Sequence, residues 1–147
     1  RGKIEDLTKL DPEKFDALIF PGGFGAALHL CDWAHKGSAC QVTPDVVRII
    51  RDFNGQSKPI GACCIAPVLL AKVLGDQEIT LTIGKDPETA QEIQKTGAIH
   101  EYCPVDDYIT DRANKIVTTP AYMYDDAQPH KVYQGIQGLV KELVEMA

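Results

Sequence analysis

Two adjacent cysteines stand at a junction between a predicted strand and a predicted helix, in the sequence GACCIAP. A nucleophile at such a junction lies on a strained turn, which leaves room only for small residues two positions before and two positions after it. Around Cys64 these positions hold Ala62 and Ala66. Around Cys63 one of them would hold the bulky Ile65. The pattern therefore predicts that Cys64 is a nucleophilic thiol and that Cys63 belongs to the strand.

The position of Cys64 also favours its reactive form. A thiol at a helix N-terminus lies near the positive end of the helix dipole, which favours the thiolate. Pro67 suits the first turn of that helix because it has no N–H group to leave unpaired. The alternative is that both cysteines are small buried hydrophobic residues, since free cysteine is among the most buried residue types. This segment alone leaves both interpretations open.

A glycine-rich turn after an earlier predicted strand could assist such a nucleophile. The strand is predicted at residues 15–20, and Pro21, Gly22 and Gly23 follow it. Glycine turns can direct backbone N–H groups at an oxyanion, although this could also be an ordinary turn. A dinucleotide-binding fingerprint beginning at Gly23 fails because Leu28 occupies the position of its third glycine.

The remaining chemically active side chains form no recognisable site. Four metal-capable residues lie close together in sequence: His29, Cys31, His35 and Cys40. Their spacing matches none of the usual zinc patterns, so we predict no metal site. His100 and His130 are isolated, which is more typical of structural or exposed histidines. The sequence identifies no general base.

Strands and helices that could position Cys64 alternate along the chain. Strands are predicted at residues 15–20, 58–63, 78–83 and 99–103, with a hairpin at 105–110 and 115–119, and helices are predicted to begin near Pro44, Pro67 and Pro87. Such alternation predicts a mostly parallel sheet, which binds ligands at the carboxyl ends of its strands. Cys64 and the Gly22 turn both follow strands, so we expect them to share one site.

The last predicted element is a long C-terminal helix. Six apolar residues recur in it at helical spacing: Val132, Tyr133, Ile136, Leu139, Val140 and Leu143. This periodicity predicts one apolar face that packs on the sheet.

Composition narrows the class of protein. The chain has 147 residues and a mass of 16.1 kDa, which suits a single domain. A net charge of -6 without a basic stripe argues against a nucleic-acid partner. The longest apolar run, residues 60–71, is interrupted by Pro67 and falls short of the roughly 20 residues that span a bilayer. Five cysteines, an odd number, favour a reducing compartment.

Several segments resemble one known family. They are FDALIFPGGFGAA at 15–27, KPIG at 58–61, CIAP at 64–67, CPVDD at 103–107 and NKIVTTPAYM at 114–123. Together they resemble the ElbB family, the isoprenoid-biosynthesis glyoxalases with an amidotransferase-like domain, in the class I glutamine amidotransferase-like and PfpI superfamily. The resemblance implies one amidotransferase-like domain over residues 1–147, with a flavodoxin-like three-layer α/β sandwich and a homodimeric assembly.

The resemblance also implies a function and a site. Cys64 matches the nucleophile, and the backbone N–H groups of Gly23 and Ile65 match the oxyanion hole. We add Gly22, His100 and Pro120 as candidate pocket residues. The implied activity is conversion of a small 2-oxoaldehyde, such as glyoxal, to a 2-hydroxy acid, such as glycolate, without metal or cofactor. The implied location is mitochondrial in a eukaryote and cytoplasmic in a bacterium.

Two departures from this superfamily leave alternatives open. PfpI-type proteins place a histidine directly after the nucleophile, where this chain has Ile65, so a Cys-His hydrolase is disfavoured. The family also begins with a strand-helix-strand unit whose acidic residue lies beside the cysteine, and the 147 residues lack it. We therefore expect an incomplete fragment whose general base belongs to that unit. A redox sensor that uses Cys64 is the main alternative, and a glutaminase-type subunit is the third.

Overall fold

The strands and helices follow the predicted order along the chain. A computed structural model describes residues 2–147. The strands are β1 (Leu18–Phe20), β2 (Ile60–Cys63), β3 (Thr80–Leu81), β4 (Ile99–His100), β5 (Ile109–Asp111) and β6 (Ile116–Thr119). The α-helices are α1 (Trp33–Lys36), α2 (Pro44–Gly55), α3 (Pro67–Leu74), α4 (Pro87–Gln94) and α5 (Pro129–Met146).

The main sheet is mostly parallel, as predicted. Its strand order is β1-β2-β6-β5. Strands β1, β2 and β6 run parallel, and β5 pairs antiparallel with β6. This antiparallel pair is the predicted hairpin, in which Ile109 lies opposite Thr118. Strands β3 and β4 form a separate two-stranded parallel sheet.

Alternate residues of β2 point to opposite faces of the sheet, as the two-residue period of a strand requires. Ile60 and Ala62 are fully buried in the cluster formed with α2 and α3. Cys63 belongs instead to the cluster beneath α5, and a Cβ atom on Gly61 would lie 3.2 Å from the Leu139 side chain of α5. Helices therefore cover both faces, which confirms the predicted three-layer α/β sandwich.

Helices α2 and α3 form the first layer. The buried face of α2 consists of Val46, Ile49, Ile50 and Phe53, the apolar stripe that the sequence predicted. Seven of the eight residues of α3 are buried, so this helix is central and its N-terminus is fixed at the end of β2.

Helix α5 forms the other layer, but its buried stripe is narrower than predicted. Val132, Leu139 and Leu143 are buried, whereas Tyr133 is 63% exposed and Val140 is 41% exposed. The helix approaches the sheet closely at a glycine, Gly135, where a Cβ atom would lie 2.7 Å from Thr119 Oγ1 of β6. This close approach excludes the flanks of the helix from the contact, so the prediction that Tyr133 and Val140 pack on the sheet was wrong.

A buried hydroxyl and a buried carboxylate accept hydrogen bonds that connect the two sheets. The Thr82 N–H donates to Thr118 Oγ1 at 2.9 Å, and both residues are fully buried. The Thr80 N–H donates to Asp111 Oδ2 at 2.8 Å. These bonds hold the small sheet against β6 and β5. Among the described residues, the helices lack the combination of length and apolarity that would let one span a membrane.

Candidate active site at Cys64

Cys64 lies in a strained turn directly after β2. Its φ angle is +59°, in the left-handed region that residues other than glycine seldom adopt. The Cys64 N–H donates to the Thr119 carbonyl at 3.0 Å, which extends the pairing of β2 with β6 to the turn itself. The two alanines beside the turn, Ala62 and Ala66, are fully buried, so neither position has space for a larger side chain.

The two adjacent cysteines have different environments. Cys63 is 2% exposed beneath α5, and burial raises its pKa to about 11. Cys64 is half-buried, whereas Cys31, Cys40 and Cys103 are buried. Within residues 2–147, Cys64 is therefore the thiol that a solute can reach most easily.

The glycine turn after β1 packs directly on the Cys64 turn. Gly22 has a φ of +93°, and a Cβ atom there would lie 2.7 Å from the Cys63 carbonyl oxygen and 2.9 Å from Cys64 Cβ. Gly23 also has a positive φ, of +87°, but a Cβ atom there would meet nothing within 4 Å. The ends of β1 and β2 thus meet at one place, as the strand order requires.

Two backbone donors at this place are not engaged. Within residues 2–147, neither the Gly23 N–H nor the Ile65 N–H has a hydrogen-bond acceptor. Ile65 directly follows Cys64 in its turn, and Gly23 belongs to the glycine turn that packs on it. Free N–H groups beside a nucleophile are the donors that an oxyanion hole requires.

Cys64 opens into a cleft of about 460 Å³. The cleft is formed by residues from the turns after β1, β2 and β6 and from α1 and α4. Its lining residues are Phe24, Ala27, Trp33, Ala34, Cys64, Ile65, Thr89, Tyr122 and Met123. A wider groove of about 630 Å³ runs along α5, but its lining contains neither cysteine nor histidine.

Two other candidate pocket residues, His100 and Pro120, lie outside the cleft lining. His100 lies in β4, where its Nε2 accepts from the Ile83 N–H at 3.3 Å, and burial lowers its pKa. This interaction keeps the imidazole in the small sheet, away from the cleft lining. Pro120 is buried at the end of β6 and lines no part of the cleft, although the turn that it begins carries Tyr122 to the cleft.

Sequence reasoning missed most of the cleft wall. Phe24 and Tyr122 lie inside recognised motifs just after strands, so their place in the chain could have identified them. Trp33 and Thr89 come from helices α1 and α4, and no periodicity or motif marks them. Met123 ends the motif that contains Tyr122, but it is brought to the cleft by a turn that begins at the buried Ala121, whose φ of +44° the sequence did not reveal.

The metal-capable residues do not assemble into a site. In the part of the chain that the structure describes, no three His, Cys, Asp or Glu side chains are grouped closely enough to hold a metal ion. Cys31 and Cys40 are buried near each other, and burial is the main cause that raises the pKa of Cys40 to about 11.

Comparison with known proteins identifies similar sequences. No protein-family model matches the chain. The human protein named "Glutamine amidotransferase-like class 1 domain-containing protein 3, mitochondrial" is 43% identical over 155 aligned positions, which cover 99% of this chain and 57% of the human protein. The rat "ES1 protein homolog, mitochondrial" is 42% identical with the same coverage. The chain thus spans little more than half the length of these relatives.

Solved structures share the fold. An isoprenoid biosynthesis protein with an amidotransferase-like domain from Ehrlichia chaffeensis matches with a TM-score of 0.86 and 31% identity, over 97% of this chain and 64% of that protein. A ThiJ/PfpI domain protein from Brachyspira murdochii matches with a TM-score of 0.62 and 16% identity, over 96% of this chain and 66% of that protein. The second likeness concerns the fold alone.

Proposed function

We propose that the chain is a member of the class 1 glutamine amidotransferase-like superfamily and that it is a cysteine-dependent glyoxalase-like enzyme that needs no cofactor. Its substrate is a small 2-oxoaldehyde and its product is the 2-hydroxy acid. The observation that carries this proposal is the accessible Cys64 thiol in a left-handed turn. Two free N–H groups, of Gly23 and Ile65, flank this thiol.

The reaction begins with capture of the aldehyde. The Cys64 thiolate attacks the aldehyde carbon, and the resulting C–S bond gives a hemithioacetal whose oxygen carries the negative charge. The N–H groups of Gly23 and Ile65 donate to this oxygen, and a proton then neutralises it. Removing one such donor in a related kind of site costs roughly 100- to 1,000-fold in rate.

A proton shift and hydrolysis complete the reaction. The proton on the former aldehyde carbon moves to the neighbouring carbon, so that the first carbon is oxidised to a thioester and the second is reduced to an alcohol. Water then cleaves the thioester, which releases the 2-hydroxy acid and restores the thiol. The described cleft lining contains no carboxylate or imidazole, so the base is proposed to come from a carboxylate outside this lining, as the family resemblance implies.

A redox-sensing role uses the same thiol. Cys64 is more accessible than the four buried cysteines, so peroxide would convert it first to the sulfenic acid and then to the sulfinic acid. Oxidation of Cys64 after mild peroxide treatment, without aldehyde turnover, would favour this second function.

A glutaminase role has less support. Free glutamine carries an ammonium and a carboxylate at neutral pH, and burying a charge without a partner is costly. The residues that line the cleft carry no formal charge, and so offer glutamine no ion-pair partner. The human relative nevertheless carries "glutamine amidotransferase-like" in its name.

Family, assembly and location complete the proposal. The Ehrlichia structure, with a TM-score of 0.86 and 31% identity, supports placing this chain among the ElbB-like isoprenoid biosynthesis proteins. The names of the human and rat relatives include "mitochondrial", which supports that location if the source is eukaryotic. A homodimer is proposed from the family resemblance.

The direct test compares two adjacent substitutions. Purified protein is assayed for consumption of 2-oxoaldehyde and formation of 2-hydroxy acid, as wild type, Cys64→Ser and Cys63→Ser. We expect Cys64→Ser to lose at least 100-fold in kcat and Cys63→Ser to retain turnover, because Cys63 is buried beneath α5. Equal activity of Cys64→Ser and wild type would refute the proposed function.

A further inference from the structure

The cleft at Cys64 is much larger than the smallest substrate of the proposed reaction. Its volume is about 460 Å³, within the range of about 300–1,000 Å³ typical of sites for larger organic ligands. Glyoxal has four non-hydrogen atoms, which would occupy roughly 120 Å³ if each took the volume of one liquid water molecule. Glyoxal would therefore leave most of the cleft wall in contact with water.

The wall around the thiol is mainly apolar and aromatic. Trp33 is 7% exposed and forms part of its buried side. Phe24 and Tyr122 are 67% and 58% exposed, although both line the cleft. Large exposed aromatic side chains beside a reactive group can be covered by an apolar ligand, and this burial is favourable.

Charge is absent from the same wall. Of the described residues that line the cleft, Thr89 and Tyr122 supply the only hydroxyls, and Lys, Arg, His, Asp and Glu supply no side chain. A substrate whose substituent carries a carboxylate or an ammonium would lose hydration there without gaining a partner. The cleft therefore disfavours charged substituents and favours a neutral ring.

We propose that the cleft selects 2-oxoaldehydes that carry an aromatic substituent, with Phe24 and Tyr122 as the residues that determine this specificity. The aldehyde carbon lies at Cys64 Sγ, and the ring occupies the space between the two exposed aromatic side chains. For phenylglyoxal as the probe, addition of one water gives mandelate, so atoms and electrons balance without an external oxidant or reductant. This substrate class rests on the proposed function, whereas selectivity for aromatic electrophiles does not.

Alkylation of Cys64 tests the selectivity without requiring turnover. The rate constants for iodoacetamide and N-benzyliodoacetamide are measured at Cys64 by mass spectrometry, and their ratio is divided by the same ratio for free glutathione. We expect the benzyl reagent to be favoured by about tenfold or more in wild type, which corresponds to about 1.4 kcal/mol. A normalised ratio near one would overturn the inference.

Variants assign the selectivity to the cleft wall. Phe24 and Tyr122 are more than half exposed, so Phe24→Ala and Tyr122→Ala leave the core intact. We expect each to lower the benzyl preference severalfold, and the double variant to lower it to the glutathione value. The control is Tyr133→Ala, because Tyr133 is equally exposed but lies on α5. If the two cleft variants change the ratio no more than this control, the inference is wrong.

Turnover distinguishes failure of the inference from failure of the proposed function. We expect kcat/KM to be at least tenfold higher for phenylglyoxal than for glyoxal, and this advantage to be lost in the double variant. Benzyl selectivity without turnover of either aldehyde would support the cleft preference and refute the glyoxalase function. Turnover of glyoxal without an aromatic preference in either assay would support the function and overturn the inference.

Discussion

The contact between the two turns predicts different effects for alanine at two neighbouring glycines. Gly22 and Gly23 both have positive φ angles, of +93° and +87°. A Cβ atom on Gly22 would lie 2.7 Å from the Cys63 carbonyl oxygen, whereas a Cβ atom on Gly23 would meet nothing within 4 Å. Gly22→Ala therefore adds a steric conflict to the backbone strain that both substitutions share.

The expected losses of stability follow from the backbone strain and the steric conflict. Left-handed backbone costs a residue with a Cβ atom roughly 1–2 kcal/mol, which is the full effect expected for Gly23→Ala. Overpacking adds roughly 1–3 kcal/mol, and backbone atoms of Cys63 cannot move aside as a flexible side chain could. We thus expect Gly22→Ala to lower the free energy of unfolding by about 2–5 kcal/mol.

Urea-induced unfolding measures both values. The chain contains one tryptophan, Trp33, whose buried position beside the cleft makes its fluorescence a suitable probe. Circular dichroism provides a second probe of the same transition. If the free energies of unfolding of Gly22→Ala and Gly23→Ala differ by less than about 0.5 kcal/mol, within the usual scatter of additivity, the inferred packing of Gly22 on the Cys64 turn is refuted.

Two further predictions concern the structure that supports the cleft. Thr118→Val leaves the buried Thr82 N–H without its acceptor and should destabilise the fold by about 1–3 kcal/mol, whereas Thr118→Ser keeps the bond. Denaturant unfolding of both variants tests this, and equal stability of Thr118→Val and wild type would contradict it. A hydrogen bond and charge from Lys95, with hydrogen bonds from Ser38, lower the pKa of Glu92 from 4.5 to about 2. Ionised Glu92 therefore stabilises the fold above about pH 4.5, and this contribution is lost as the pH falls through about 2. Glu92→Gln should therefore be less stable than wild type at pH 7, with a difference that narrows towards pH 2, and a pH-independent difference in thermal melting would contradict this.

The residues that could be predicted from the sequence are those governed by local geometry. The small neighbours of Cys64 distinguish it from Cys63 because the strained turn leaves no space beside it, and of these two cysteines only Cys64 has a positive φ. The buried stripe of α2 was predictable because its apolar residues recur with the 3.6-residue period of a helix and so form one face against the sheet. In α5 the same reasoning failed at Tyr133 and Val140, since a close approach at one glycine narrowed the contact.

The cleft wall was less predictable because its parts are distant in sequence. Trp33 and Thr89 come from different helices and meet Cys64 only through the fold, and neither stands in a periodic pattern or a motif. His100 was chosen for its chemistry alone, and the structure places it in the small sheet, where it accepts from the Ile83 N–H. Local patterns indicate which turns meet at the sheet edge, but they do not indicate which helices close the cleft.

Capture of an aldehyde and its conversion to an acid require different groups. Capture needs a nucleophile and oxyanion donors, and we propose the Cys64 thiol and the N–H groups of Gly23 and Ile65 for these roles. Conversion needs a base to move a proton between two carbons, and the described cleft lining contains no such base. The two steps are therefore separable by experiment: a ¹³C-labelled aldehyde should show a hemithioacetal carbon that disappears in Cys64→Ser, even where turnover is slow. The same hemithioacetal signal in Cys64→Ser and wild type would mean that another thiol captures the aldehyde, and would refute the proposed role of Cys64 in capture.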